Sequence, residues 1–150
     1  MNKYSYDTPV GIITVEDDGD FVTAIYTDNK KSSDKESELA KVTFRQLTEY
    51  FNRKRKIFDL PIKVEGTDFQ KSVWKELCNI PYGTTCSYKQ VAENIGNPKA
   101  CRAVGMANNK NKIMIVVPCH RVIGSNGSLV GYAGGLNVKK FLLDLEQVNL

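Results

Sequence analysis

The punctuation between Thr67 and Ala107 constrains this chain most, because it sets where helices start and stop. Thr67-Asp68-Phe69-Gln70 and Ser87-Tyr88-Lys89-Gln90 each put a hydroxyl residue three positions before a glutamine. That is the pattern of a capping box, in which two side chains satisfy each other's backbone donors. Phe69, Val73, Trp74 and Leu77 give the first helix an inward stripe, and Pro81-Tyr82-Gly83 stops it. The second helix is short, running through Val91, Ala92 and Ile95, and Gly96 suits a left-handed residue just past its end. Asn97-Pro98 reads as an immediate restart, with Asn97 as N-cap and Pro98 at the first position of a helix continuing from Lys99 to Ala107. Two short helices joined by a tight Gly-Asn turn make a helix-turn-helix pattern. The second is lined with Ala100, Ala103, Gly105 and Ala107, with Arg102 as its one long cation. A helix that reads base edges in the wide groove carries Arg, Asn and Gln. A smooth helix fits a narrower groove and can push one side chain into the base stack, or it packs closely against another helix.

The residues before this region read differently. Val10, Ile12, Ile13 and Val15, the Asp18-Gly19 turn, and Phe21 to Tyr26 predict a β-hairpin. Ser33-Asp34-Lys35-Glu36 predicts a helix start, followed by an apolar stripe of Leu39, Val42, Leu47, Tyr50 and Phe51. Arg53-Lys54-Arg55-Lys56 would close that helix as a basic C-terminus, with a DNA contact as the alternative. Ile57 to Pro61 reads as an edge strand ended by proline. Nothing in this part carries chemistry. The composition turns helical after Gly66, which divides the chain into residues 1–64 and 65–150.

Charge follows the same division. From Thr67 onward ten lysines and arginines face five carboxylates. Between Asn79 and Tyr132, Lys89, Lys99, Arg102, Lys110, Lys112 and Arg121 stand against Glu93 alone. The imbalance suits a polyanionic partner such as nucleic acid, or simply a solvated lysine-rich surface. No apolar stretch is long enough to span a bilayer and the N-terminus lacks a signal-peptide core, so a cytoplasmic protein without membrane contact is expected. Cys78, Cys86, Cys101 and Cys119 are scattered without a CxxC pair, which suits free thiols and gives no zinc spacing.

One of those cysteines has unusual neighbours. In Val116-Val117-Pro118-Cys119-His120-Arg121-Val122, an apolar run from Ile113 reads as a buried strand ending at proline, and the chain's single histidine follows the thiol. A thiolate near a base is a nucleophile. Adjacent side chains of an extended segment point to opposite faces, so His120 would act through a water or a bend. A buried structural cysteine beside a surface histidine is the alternative. A glycine-rich loop, Leu129 to Leu136, holds Tyr132 and can bring backbone N–H groups and a ring against a flat ligand. The closing helix, Val138 to Gln147, carries Glu146, either a surface carboxylate or the orienting acid of a Cys–His–Glu relay.

Together these segments resemble the O6-alkylguanine-DNA alkyltransferase family. The matching residues are Ser87-Tyr88, Gly96 to Ala100, Arg102 to Gly105, Pro118 to Val122, Gly131 to Leu136, and Leu142-Leu143 with Glu146, in order, while Thr8 to Gly11 matches more weakly. The resemblance implies an α/β N-terminal domain, a small antiparallel sheet plus helix of ribonuclease-H-like form, and a mostly α, helix-turn-helix, winged-helix-like C-terminal domain. It implies a monomer that flips O6-alkylguanine, and also O4-alkylthymine, out of double-stranded DNA through the minor groove. The alkyl group would pass irreversibly to Cys119, once per molecule, without cofactor or metal. His120 would deprotonate Cys119 through a water, Glu146 would orient His120, and the two would lower the thiol's pKa. Asn111 would brace the turn before the cysteine strand. Tyr88, Val122, Tyr132 and Ala133 would bind the base. Arg102 would fill the vacated stack on a helix whose Ala100, Ala103 and Gly105 face the DNA. Where family members carry Asn-Pro-x-Pro, this chain has Asn111-Lys112-Ile113-Met114, which bears on alkyl-size preference. A helix-turn-helix regulator would explain the charge but not the Cys–His–Glu set. A cysteine hydrolase would explain the set but not the small-residue helix, and an alkyltransferase-like protein would lack Cys119.

Overall fold

The computed structural model describes residues 1–129, 132 and 134–148. They form two compact units, Met1–Val64 and Glu65–Leu150. The first holds a three-stranded antiparallel sheet, β1 (Asn2–Thr8), β2 (Gly11–Asp17) and β3 (Val22–Asp28), in that spatial order. The expected hairpin is β2–β3, and β1 is an added strand pairing in register from Asn2 opposite Asp17 to Thr8 opposite Gly11. Ile13 and Val15 are fully buried on one face of β2 against helix α1 (Glu38–Phe51), which contributes Ala40, Leu47 and Tyr50. The alternate residues Ile13 and Val15 thus meet a helical stripe.

Helix α1 starts at Ser37, not at the expected Ser33. Ser37 Oγ accepts from Ala40 N at 2.9 Å and donates to the buried Asp17 carboxylate at 2.6 Å, so cap and sheet fix each other. Ser33 instead bridges to Tyr4, and Glu36 accepts from the Tyr6 hydroxyl at 2.7 Å. Arg53 to Lys56 lie beyond the helix, with Arg53 at φ 59°. The expected strand at Ile57–Pro61 is only a single parallel bridge between Val22 and Ile62.

The second unit holds α2 (Asp68–Leu77), β4 (Cys86–Ser87), α3 (Tyr88–Asn94), α4 (Cys101–Asn109), a one-turn 3-10 helix (Cys119–Arg121), β5 (Val122–Ile123) and α5 (Leu136–Val148). Both capping boxes form as read, at Thr67 with Gln70 and at Ser87 with Gln90. Gly96 takes φ +80° after α3. Helix α4, however, starts at Cys101 after Ala100, with no side-chain cap, because Ala100 N bonds to Asn97 O at 3.0 Å and closes 97–100 as a turn. Trp74 Nε1 donates to Ala107 O at 2.8 Å and pins α2 to α4. Val73, Leu77, Val91, Ala92, Val104 and Leu142 build the core on which the site rests. Parallel pairing of β4 with β5 sets Ser87, the cap of α3, beside the chain that leaves Cys119. Among the described residues no helix is long and apolar enough to cross a membrane.

Candidate active site

The segment leading to Cys119 is not a strand. Val116 N bonds to Met114 O at 2.8 Å and Val117 N to Ile113 O at 3.0 Å, so the chain folds on itself around Ile115, which sits at φ 72°. A β-branched residue there is strained, and strain of this kind gathers at functional sites. The Asn111 side chain holds the turn: its amide donates to Val117 O at 2.9 Å and Ile113 O at 3.4 Å, and its carbonyl accepts from Ile113 N at 3.0 Å. One side chain supplies the partners a neighbouring strand would have given. Pro118 then turns the chain into Cys119–Arg121, where Arg121 N bonds to Pro118 O at 3.0 Å. In such a turn neighbouring side chains diverge by about 120° rather than point oppositely. The bend required for Cys119 and His120 to share a site is therefore built into the backbone.

His120 is fully buried, and its Nε2 lies 2.6 Å from Glu146 Oε2 on α5. Glu146 also accepts from Arg121 Nε at 2.9 Å, Arg121 Nη2 at 3.0 Å and Gly83 N at 3.2 Å. Burial alone would raise its pKa, but the His120 hydrogen bond, and then Arg121, outweigh burial and hold it at about 2. Burial lowers the His120 pKa against the pull of Glu146. A neutral ring facing an ionised carboxylate carries its proton on Nε2, which leaves Nδ1 as the basic nitrogen. Nδ1 is buried and has no protein partner among the described residues.

The thiol does not become acidic as the Cys–His–Glu pattern suggested. Burial pushes the Cys119 pKa up, and Asn111, the Lys139 charge and Tyr132 only oppose that rise. The resting group is a neutral thiol whose proton must leave as it reacts. Tyr132 is buried, and the thiol beside its hydroxyl adds to the effect of burial in raising its own pKa. A Cβ at Gly134 would fall 2.8 Å from the Tyr132 ring, so the ring's seat requires glycine. Tyr88, the first residue of α3, feels Cys119 electrostatically, and burial first and then that thiol raise its pKa. Val122 offers its carbonyl to Lys139 Nζ at 2.6 Å. The structure thus brings Cys119, His120, Glu146, Asn111, Tyr88, Tyr132 and Val122 into one place, while Ala133 lies outside the described residues.

Three further residues belong to this place. Arg121 grips Glu146 through two nitrogens and donates Nη1 to Ile80 O at 2.8 Å. Asn108 of α4 is buried and donates to Cys119 O at 3.3 Å. Lys139 is fully buried, 5.9 Å from the Tyr88 ring centre, and burial lowers its pKa to about 8. Its signal was helical spacing, since Lys139, Leu142 and Glu146 recur on one stripe of α5. Ala100 precedes α4, and Arg102, Ala103 and Gly105 lie along it, with Arg102 and Ala103 exposed and Gly105 facing the Tyr88 ring. Arg102 makes no ion pair among the described residues.

Comparisons with known proteins cover the whole chain. Residues 1–64 match the model for the 6-O-methylguanine DNA methyltransferase ribonuclease-like domain, and residues 68–148 match that for the DNA binding domain of the same family. A methylated-DNA–protein-cysteine methyltransferase of Methanosarcina barkeri is 63% identical over 106 residues, 71% of this chain and 67% of the relative. One from Methanosarcina acetivorans is 48% identical over 148 residues, 94% of this chain and 95% of the relative. The crystal structure of Mycobacterium tuberculosis OGT in complex with DNA superimposes with a TM-score of 0.92 at 42% identity, covering 99% of this chain and 94% of that one.

Proposed function

The chain belongs to the 6-O-methylguanine DNA methyltransferase family, and from that premise we propose how its own residues carry out the reaction. The protein is a DNA-repair enzyme that removes alkyl groups from DNA onto a cysteine, and Cys119 is the acceptor. The observation that carries the assignment is the Glu146 clamp. It holds the His120 proton on Nε2 and turns Nδ1 into a base within the same helical turn as the thiol. His120 Nδ1 takes the Cys119 proton through a water. The sulfur then attacks the alkyl carbon, forming the C–S bond as the C–O6 bond breaks. The guanine left behind re-forms its C6=O bond and takes up at N1 the proton that balances the one lost by the thiol, with Tyr88 as hydrogen-bond donor to the base.

The remaining roles follow from placement. Asn111 keeps the strained turn closed and with Lys139 partly offsets the cost of a buried thiolate. Val122, Tyr132 and Ala133 frame the base, which must leave the duplex because the alkyl carbon cannot be attacked in line within the stack. O4-alkylthymine presents a similar exocyclic group. Arg102 enters the gap while Ala100, Ala103 and Gly105 let α4 approach the minor groove. Residues 1–64 serve as scaffold and 65–150 bind DNA and accept the alkyl group. The protein works as a monomer in the cytoplasm, where its four free cysteines stay reduced. Cys119→Ser tests the acceptor: the variant is expected to bind duplex DNA with the wild-type affinity but leave O6-methylguanine intact. Transfer by the serine variant would remove Cys119 from the role.

A further inference from the structure

Helix α4 carries a second long side chain on its outer face. Met106 is 67% exposed, against 49% for Leu136 and 38% for Phe141, the other exposed large apolar side chains described in the Glu65–Leu150 unit. It stands four residues after Arg102, one helical turn along the same face, with the exposed Ala103 between them. A single exposed apolar side chain needs no explanation by itself. Gly105, its neighbour, keeps the helix slim beside it. Gly105 lies in the helix interior, where glycine is destabilising relative to alanine, and it does not adopt a positive φ. A Cβ there would meet only the Tyr88 ring, at 3.8 Å, which is ordinary contact. Neither backbone conformation nor packing within this unit requires glycine.

Taking α4 as the helix that enters the minor groove, we propose that Met106 is a second DNA contact, an apolar wedge beside Arg102. The unbranched thioether lies along the deoxyribose edges and against the base step next to the extruded guanine, while Arg102 occupies the gap itself. The two side chains then contribute in different ways. Arg102 displaces a counterion and depends on salt, whereas Met106 buries apolar surface and does not.

The test compares the full-length wild type with M106A, M106L and R102A. It reads affinity for an undamaged duplex across a salt series, and transfer rates from an O6-methylguanine duplex and from free O6-benzylguanine. For M106A, affinity is expected to fall about tenfold with the slope of log affinity against log salt preserved. The ratio of its duplex rate to its free-base rate falls by a similar factor, and M106L recovers most of the loss. Because alanine favours a helix, the melting temperature should hold. A duplex affinity and rate for M106A within twofold of wild type, with R102A impaired, would overturn the wedge and leave the reading of α4 standing. Equal slowing of M106A on both substrates would place Met106 with the pocket and also overturn it. If neither variant changes the duplex reaction, both the wedge and the groove assignment of α4 fall.

Discussion

Ionised Glu146 is the residue on which the proposed chemistry turns, since its charge selects the nitrogen of His120 that can act as a base. Glu146→Gln is expected to slow transfer about a hundredfold and to leave affinity for undamaged duplex nearly unchanged, as single-turnover kinetics and a binding titration would show. The same variant has a stability signature. A carboxyl held at about 2 instead of its ordinary 4.5 contributes fully above 4.5, and that contribution is lost as pH falls toward 2. Stability of the wild type should therefore drop more steeply than that of the variant over this window. At neutral pH, leaving Arg121 without its buried partner should cost about 3 kcal/mol. Lys139 has the opposite sign. Burial depresses its pKa from 10.5 to about 8, so its charge costs stability below 8 and the cost disappears as pH rises toward 10.5. In Lys139→Met, stability relative to wild type should be highest below pH 8 and decline toward 10.5, while the Cys119 pKa climbs and transfer at neutral pH slows. Thiol-reactivity titrations and urea melts at several pH values would check both. Cys119, His120 and Glu146 were legible because their residue types suit one chemistry. Lys139 and Arg121 were not, because a cation in sequence looks solvated until the fold closes over it.

At the scale of elements, local signals succeeded where the segment formed its own partners. The Thr67 and Ser87 boxes satisfy themselves within four residues, and both helices start where the residues place them. The signals at Ser33 and Asn97 failed because other groups claimed them, Tyr4 and Tyr6 in the first case and a backbone turn at Ala100 in the second. The Ile113–Val117 run failed for a related reason, since apolar content cannot distinguish a strand from a turn braced by the side chain of Asn111, just before it. The competition at α1 can be measured. Ser37→Ala removes a cap and a donor to buried Asp17, and should cost the Met1–Val64 unit about 2 kcal/mol. Ser33→Ala should cost less than about 0.5 kcal/mol. Urea denaturation followed by a probe in that unit separates them, and equal losses would return the helix start to Ser33.

Across the whole molecule, the basic excess and the chemistry fall in the same part of the chain. From Thr67 onward ten cations face five carboxylates, and the same residues carry α4 and Cys119, whereas the earlier residues build a sheet and helix with no reactive cluster. A polyanion attracted to that part meets the nucleophile without a second recognition element. The thioether formed on Cys119 is chemically inert, so each chain should act once. Intact-protein and peptide mass spectrometry after mixing with excess O6-methylguanine duplex tests this most directly. One added methyl per chain, located on Cys119, and one lesion lost per protein molecule are expected. Methyl on Cys78, Cys86 or Cys101 with Cys119 unmodified, or more lesions lost than chains present, would contradict this.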